Sequence, residues 1–383
     1  MNDTTVLVTG AGGSAGANFC DALRRANAGY RIVGADRDPR RLHLATAHER
    51  CVLPSSTDQR YADALARAIG HWGVAVVHPQ PDPEVLALGR LRHALRAATF
   101  LPTQTTLETA ADKSACALAL AADGVAVPES AAFAGWASIV DVTADLLSRH
   151  EQVWVRARRG AGARGSLPVR SPDQAEAWIR WWHDHHGLEP SDFMAAEMLP
   201  GREFAYQSLW RSGELLAGQA RERVEYLYGH LTPHGQTSTP AVARTISRAD
   251  LDRLAAAAVR AVDPAPSGVF CLDIKESATG QPKVTEINTG RFFTTSNFFA
   301  AAGLNMPDML VRCARGEDVP AVGASPLPED LYWLRMVDMG YVLVPGDELD
   351  RWPHALDLNP KLRHSSTTIV PNCRNFTGAA GRA

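Results

Sequence analysis

Short apolar runs punctuate the first hundred residues, and stretches of helical pattern separate them. Val6-Leu7-Val8-Thr9 leads into a glycine-rich segment, Gly10 to Gly16, and a helical stretch to about Ala26. Tyr30 to Ala35 follows and ends in Asp36, while Cys51-Val52-Leu53-Pro54 and Val74 to Val77 read as further buried strands around a helix from Tyr61 to Gly70. Strands that alternate with helices need crossover connections, so this segment is expected to form a parallel, doubly wound sheet. Phe100-Leu101-Pro102 closes the unit. None of the apolar runs is long enough to cross a bilayer. The start, Met1-Asn2-Asp3-Thr4, has neither the basic nor the apolar region of a signal peptide.

The remaining length, within 383 residues, calls for more than one core. A second region is expected to run from a helix at Leu107 to Ala122, through strands at Val153 to Arg156, Phe193 to Glu197 and Phe204 to Trp210, with a helix at Gln174 to His183 among them. A helix at Arg248 to Ala261 leads into a hairpin at Val269 to Asn288; a strand at Tyr332 to Val344 and a Pro- and Arg-rich tail finish the chain. The 39 basic side chains are balanced by 42 acidic ones, so there is no positive field for nucleic acid or a membrane surface. Cys20, Cys51, Cys116, Cys271, Cys313 and Cys373 form no Cys-x-x-Cys pair, the usage of reduced thiols in a cytoplasmic enzyme.

Two readings are open for the first glycine loop. Gly10-x-x-Gly13-x-x-Gly16 after a strand, with Asp36 ending the next one, has the form of a dinucleotide fingerprint. A tight strand–helix turn needs glycine in any case. No tyrosine is followed four residues later by lysine, so the Tyr-x-x-x-Lys pair of short-chain dehydrogenases is absent.

The hairpin carries the stronger chemical signal. With its turn at Thr279-Gly280, Asp273 lies opposite Glu286, and Asn288 shares their face two residues on. Facing carboxylates repel. A divalent cation removes that penalty, and two carboxylates with an amide oxygen are hard ligands suited to magnesium; a solvated hairpin face is the alternative. No P-loop is present.

These residues resemble the metal-binding end of the ATP-grasp superfamily, the fold of biotin carboxylase, carbamoyl-phosphate synthase and D-alanine ligase. The thirteen-residue step from Asp273 to Glu286 and the Glu-x-Asn triplet carry the resemblance, and further signatures follow in order. Asp112-Lys113, followed by Gly124 to Pro128, resembles the stretch with the first nucleotide-binding cation. Arg156, then Gly160 to Ser166 with Gly162, Arg164 and Gly165, resembles the strand and glycine loop over the phosphates; Arg156 stands where many members have lysine. Glu197, Leu199 and Glu203 resemble the hinge, the first two at adenine and Glu203 at ribose. Two departures stand out. Ala196 replaces the usual hinge acid, and the arginine common two residues after the metal asparagine is Gly290, with Arg291 following.

The resemblance implies an α/β chain: a preATP-grasp parallel-sheet domain (residues 1–102), an ATP-grasp α+β region (103–316) and a C-terminal segment (317–383). It implies ATP and Mg2+ (Mn2+ as a substitute) at Asp273, Glu286 and Asn288. The activity it implies is a ligase that turns a carboxylate into an acylphosphate and joins it to an amine or ammonia. A carbamoyl-phosphate-synthase-like use of bicarbonate and a nicotinamide oxidoreductase are the rivals. Partners are expected to be small molecules, with neither nucleic acid nor membrane, and a homodimer is left open. Arg291 is expected at the acyl centre. Arg223 is expected to clamp the acceptor carboxylate from the polar stretch Arg221 to Tyr226 and Thr232 to Thr237; a solvent loop is the alternative there. His183, His185 and His186 are expected to cap a helix rather than bind metal. Lys275 and Lys283, two of only four lysines, flank the hairpin carboxylates.

Overall fold

The computed structural model describes residues 4–160, 165–232, 235, 237, 239–336 and 344–360. Its first unit alternates as the apolar runs require: β1 (Thr5–Thr9), α1 (Ser14–Arg25), β2 (Arg31–Asp36), α2 (Pro39–Leu42), β3 (Glu49–Val52), α3 (Tyr61–Trp72), β4 (Val76–His78) and α4 (Asp82–Leu91). The strands pair in the order β3-β2-β1-β4, all parallel. α3 buries Tyr61, Ala64, Leu65, Ala68, Ile69 and Trp72, the recurring stripe of an amphipathic helix. Gly73 ends it in the left-handed region at φ 60°.

Where one helix is expected over residues 107–122, the chain forms two: α5 (Gln104–Ala111) and α6 (Lys113–Ala122). Asp112 between them is extended, and its carboxylate accepts from the backbone N–H groups of Ser114 and Ala115. It is an N-cap inside an apolar pattern, which periodicity alone does not separate from a continuous helix. Next come β5 (Ser130–Ala132), α7 (Trp136–Leu147), β6 (Val153–Ala157), β7 (Leu167–Val169), α8 (Pro172–His186) and β8 (Phe193–Glu197). Their strands make an antiparallel sheet in the order β5-β8-β6-β7.

The third sheet is the largest. β9 (Glu203–Arg211), β10 (Glu214–Tyr226), β11 (Pro240–Ile246), α9 (Ala249–Val262), β12 (Gly268–Glu276), β13 (Pro282–Thr289), α10 (Ser296–Ala301), α11 (Met306–Ala314), β14 (Gly323–Ala324) and β15 (Tyr332–Leu334) follow in sequence. The sheet runs β13-β12-β9-β10-β11-β15, with β14 parallel to β10. Arg221 to Tyr226, expected in a polar stretch after the hinge strands, is the second half of β10. Of the strand expected over 332–344, β15 is seen, and residues 337–343 lie outside the described residues.

The parallel sheet and the large antiparallel sheet share one core. Val6, Val8 and Phe19 of the first unit pack in a single cluster with Ala205, Leu209, Val269, Phe292, Phe299 and Leu310. Residues 344–360 return to the first unit: Val52 N–H donates to the Pro353 carbonyl at 2.9 Å, and Ala355 and Leu358 join the cluster under α3. The large sheet meets the parallel sheet through α1 and the α10–α11 pair, whose side chains fill the shared cluster. Phe292 sits at this junction, fully buried, 5.7 Å from the rings of both Phe19 and His78. Phe292→Ala is expected to cost about 3–5 kcal/mol of stability in urea unfolding; a loss under about 1 kcal/mol would show that the two units do not share a core.

Candidate active site

The hairpin β12–β13 pairs as anticipated from Phe270–Thr289 to Asp273–Glu286, then slips by one residue, so that Ile274 faces Val284. The slip leaves Thr285 as a bulge. Its hydroxyl donates to the Asp273 carbonyl at 3.0 Å, and its own carbonyl accepts from Arg156 Nη2 at 2.7 Å. A bulge thus pins the register at the acidic pair and frees a backbone acceptor for a neighbouring cation.

Asp273 and Glu286 face each other, and the Asn288 amide reaches both, with Nδ2 at 3.3 Å from Asp273 Oδ2 and 3.2 Å from Glu286 Oε1. Cations close around them. Arg223 of β10 donates to Asp273 Oδ1. Lys113, the first residue of α6, lies 3.4 Å from Glu286 Oε2, and Arg156 of β6 lies 3.8 Å from the same oxygen. Burial opposes ionisation of Glu286, but Lys113 and Arg156 outweigh it and hold this carboxyl below the usual range. Asp273 is pushed up, by burial first and by the facing Glu286 as well, against the pull of Arg223.

Three hard donors around one point fit a divalent cation. The amide nitrogen now faces the carboxylates; a half-turn about the Cβ–Cγ bond of Asn288 would present its oxygen to a metal instead. Among the described residues no cluster of three or more His, Cys, Asp or Glu side chains is arranged to hold a metal ion, so this candidate site rests on two carboxylates and one amide. The histidines ending α8 act locally, His183 toward the Leu188 carbonyl and His185 stacked on Trp181, with Gly187 closing the helix.

The cap at Asp112 also serves this site. Arg158 grips the Asp112 carboxylate through Nε and Nη2, and Arg159 adds a third bond. Lys113 N–H donates to the Arg158 carbonyl, and Lys113 Nζ donates to the Gly160 carbonyl at 2.7 Å. One lysine therefore joins Glu286 to the start of the glycine loop. Gly162 and Arg164 lie outside the described residues. At the far end of the loop Gly165 is left-handed at φ 70°, its carbonyl accepts from Trp178 Nε1, and Ser166 is buried.

Glu197 and Glu203 are engaged by the hairpin lysines. Lys283 Nζ donates to Glu197 at 2.6 Å and Lys275 Nζ to Glu203 at 2.6 Å, with Tyr226 donating its hydroxyl to Glu203 as well. Leu199 is buried, and Gly201 N–H donates to the Glu276 carbonyl. A Cβ at Gly201 would lie 2.6 Å from that of Glu276, so only glycine lets the hinge lie against β12.

Gly290 explains the displaced arginine. It is left-handed at φ 74°, and a Cβ there would sit 2.7 Å from Val85 Cγ1 on α4. No side chain fits, and the arginine moves to the next residue. Arg291 Nη2 donates to Asn288 Oδ1 at 2.7 Å, while its guanidinium is also held by Asp82, the first residue of α4. Asp82 had no signal in the sequence, because its partner is 209 residues away.

The first glycine loop has the geometry of a packed turn. Gly12 N–H donates to Asp36 Oδ2 at 3.2 Å and Asp38 N–H to Asp36 Oδ1 at 3.0 Å, so the carboxylate is occupied by its own backbone. A Cβ on Gly12 would meet the Arg41 carbonyl oxygen at 2.3 Å, and one on Gly16 the Gly10 carbonyl oxygen at 2.2 Å. Below the loop Glu84 is buried beside the Tyr61 hydroxyl, 3.4 Å away, and burial, with Asp36 nearby, pushes its carboxyl up to about 7. Between its ordinary value near 4.5 and 7, the folded chain keeps a proton that the unfolded chain has lost, so stability falls as pH rises through that window. Glu84→Gln is expected to flatten this dependence and to gain up to about 3 kcal/mol above pH 7 in urea unfolding at pH 5 and 8; an unchanged slope would refute it.

No protein-family model and no curated protein sequence matches the chain. Solved structures do. The biotin carboxylase domain of Hydrogenobacter thermophilus 2-oxoglutarate carboxylase, with MgADP and bicarbonate, is 15% identical over 86% of this chain and 73% of that one, at a TM-score of 0.65. Carboxyaminoimidazole ribonucleotide synthase from Aspergillus clavatus with ATP is 17% identical over 84% and 79%, at 0.64. An L-amino acid ligase from Bacillus licheniformis is 17% identical over 82% and 74%, at 0.61. At such identity the likeness is one of architecture, and that architecture is the ATP-grasp fold, entered through a preATP-grasp parallel sheet.

Proposed function

We propose that the chain is an ATP-dependent ligase that activates a carboxylate as an acylphosphate and joins it to an amine or ammonia, releasing ADP and phosphate. One observation carries the reading: cations from α6, β6 and the turn after β13 converge on the Asp273–Glu286–Asn288 triad. A carboxylate is a poor electrophile until one oxygen becomes a phosphate leaving group. The γ-phosphoryl leaves ADP for that oxygen; the amine nitrogen then forms the bond to the acyl carbon, phosphate departs and the nitrogen gives up a proton. Magnesium bound with the nucleotide would neutralise phosphate charge during transfer. Lys113 and Arg156 are placed to hold phosphate oxygens as charge-assisted donors. Arg291, steadied by Asp82, is placed to stabilise negative charge on the acyl group. Glu203 and the Glu197–Leu199 hinge are assigned to ribose and adenine. Arg223 is paired with Asp273, and this favours a role in orienting a metal ligand over the free clamp expected from sequence.

Likeness to a biotin carboxylase domain solved with bicarbonate supports a second reading, in which bicarbonate is the acid. The occupied Asp36 carboxylate argues against a nicotinamide enzyme. ATP turnover should be screened against a panel of carboxylates and bicarbonate, with hydroxylamine to trap acylphosphate. A hydroxamate is expected with one organic acid, and Glu286→Ala should lower turnover by about 100-fold or more. Full turnover in that variant would remove the metal assignment, and bicarbonate-dependent turnover without hydroxamate would favour the second reading.

A further inference from the structure

β10 carries a second, deeper arginine. Arg221 lies two residues from Arg223 on the same face of the strand, opposite Ala205 of β9, which in turn lies opposite Asp273 of β12. At the usual strand spacing its backbone is about 10 Å from that of Asp273. The residue between them is alanine, fully buried, so a single methyl group separates the two side chains across the sheet. Arg221 is 1% exposed, yet its Nε and Nη1 have no hydrogen-bond partner. Its guanidinium rests on the rings of Phe293 and Phe299, at 4.9 and 5.9 Å, and Arg223 lies over Phe293 too, at 5.5 Å.

The neighbouring charges make this placement worse for a cation. Burial first, then Arg223 and more weakly Arg335, push Arg221 down to about 9, even with Cys271 and Asp273 acting the other way. Arg335 itself has a buried Nη2 without a partner. Aromatic faces replace only part of the hydration a buried guanidinium loses. A buried cation with empty donors and like charges beside it is stabilised by an anion from outside the chain.

We propose that Arg221, with Arg335 beside it, binds a second anionic group, carboxylate or phosphate, on the acid substrate. This rests on the ligase reading, since the triad marks where the other carboxylate is activated. The separation of Arg221 from Asp273 selects a short dianionic acid, its two acidic groups a few bonds apart. The ligand enters from the Asp273 side over Ala205 and takes the place of the Phe293 ring at the guanidinium.

The test is calorimetric titration of the full chain, with a non-hydrolysable ATP analogue and Mg2+ present, using butyrate, succinate, glutarate and phosphonoacetate. At least one dianionic acid is expected to bind about 10- to 100-fold more tightly than butyrate. Arg221→Met should erase that margin, Arg221→Lys should restore part of it, and affinity for the ATP analogue should be unchanged in both. The free Arg221→Met protein should melt no lower than the parent, because methionine removes an uncompensated buried charge. Equal binding of mono- and dianionic acids by the parent, or a margin that survives Arg221→Met, overturns the proposal. A lower melting temperature with an unchanged margin also overturns it and marks a purely structural arginine. The readout is binding, so its failure is separate from failure of the hydroxamate assay, which judges the ligase reading alone.

Discussion

Two carboxylates facing each other across an antiparallel ladder are the constraint from which the rest of the site follows. Alone, Asp273 and Glu286 would weaken the hairpin that carries them. The fold surrounds them with positive charge drawn from separate elements: Arg223 on β10, Lys113 at the start of α6 and Arg156 on β6. Each cation arrives through a local device. Asp112 interrupts a helix so that Lys113 becomes a first-turn residue, and the bulge at Thr285 offers Arg156 a carbonyl. Charge balance at the acids thus ties the small antiparallel sheet, the helix pair α5–α6 and the large sheet to one point.

The parallel unit is joined to this point through packing as well as through charge. Phe292 and Gly290 sit next to Arg291 in sequence. Phe292 fills the junction with Phe19 and His78, and Gly290 lets the chain pass against Val85. Both bring α4 close enough for Asp82 to hold Arg291. Gly12 and Gly16 of the first loop are explained within the same unit, by the Arg41 and Gly10 carbonyls that an added side chain would strike.

Much of this was legible in the chain because it depends on neighbours in sequence. The β–α alternation of the first hundred residues, the hairpin and the face shared by Asp273, Glu286 and Asn288 follow from periods of two and three to four residues. The break at Asp112 was hidden because a capping aspartate between two apolar stripes does not disturb their spacing. β10 was hidden because Arg221 to Tyr226 is polar; it becomes a strand by pairing back on β9, which precedes it through a tight turn, and with β11 on its other side. The lysines flanking the hairpin were visible as a cluster, whereas their engagement required Glu203 to be brought opposite Lys275 on the neighbouring strand and Glu197 to be brought to Lys283 from the small sheet.

By itself, then, the sequence determined most of the element types and the acidic pair, since each is encoded within a few tens of residues. Only the tertiary structure decided which cations balance those acids, that Asp36 is occupied by its own loop, and that Arg291 is held from α4. It also decided that Arg221 is buried on two aromatic rings with donors left empty. The physical reason is that charge compensation and burial are properties of neighbours in space, and the decisive neighbours here are separated by up to 209 residues of chain.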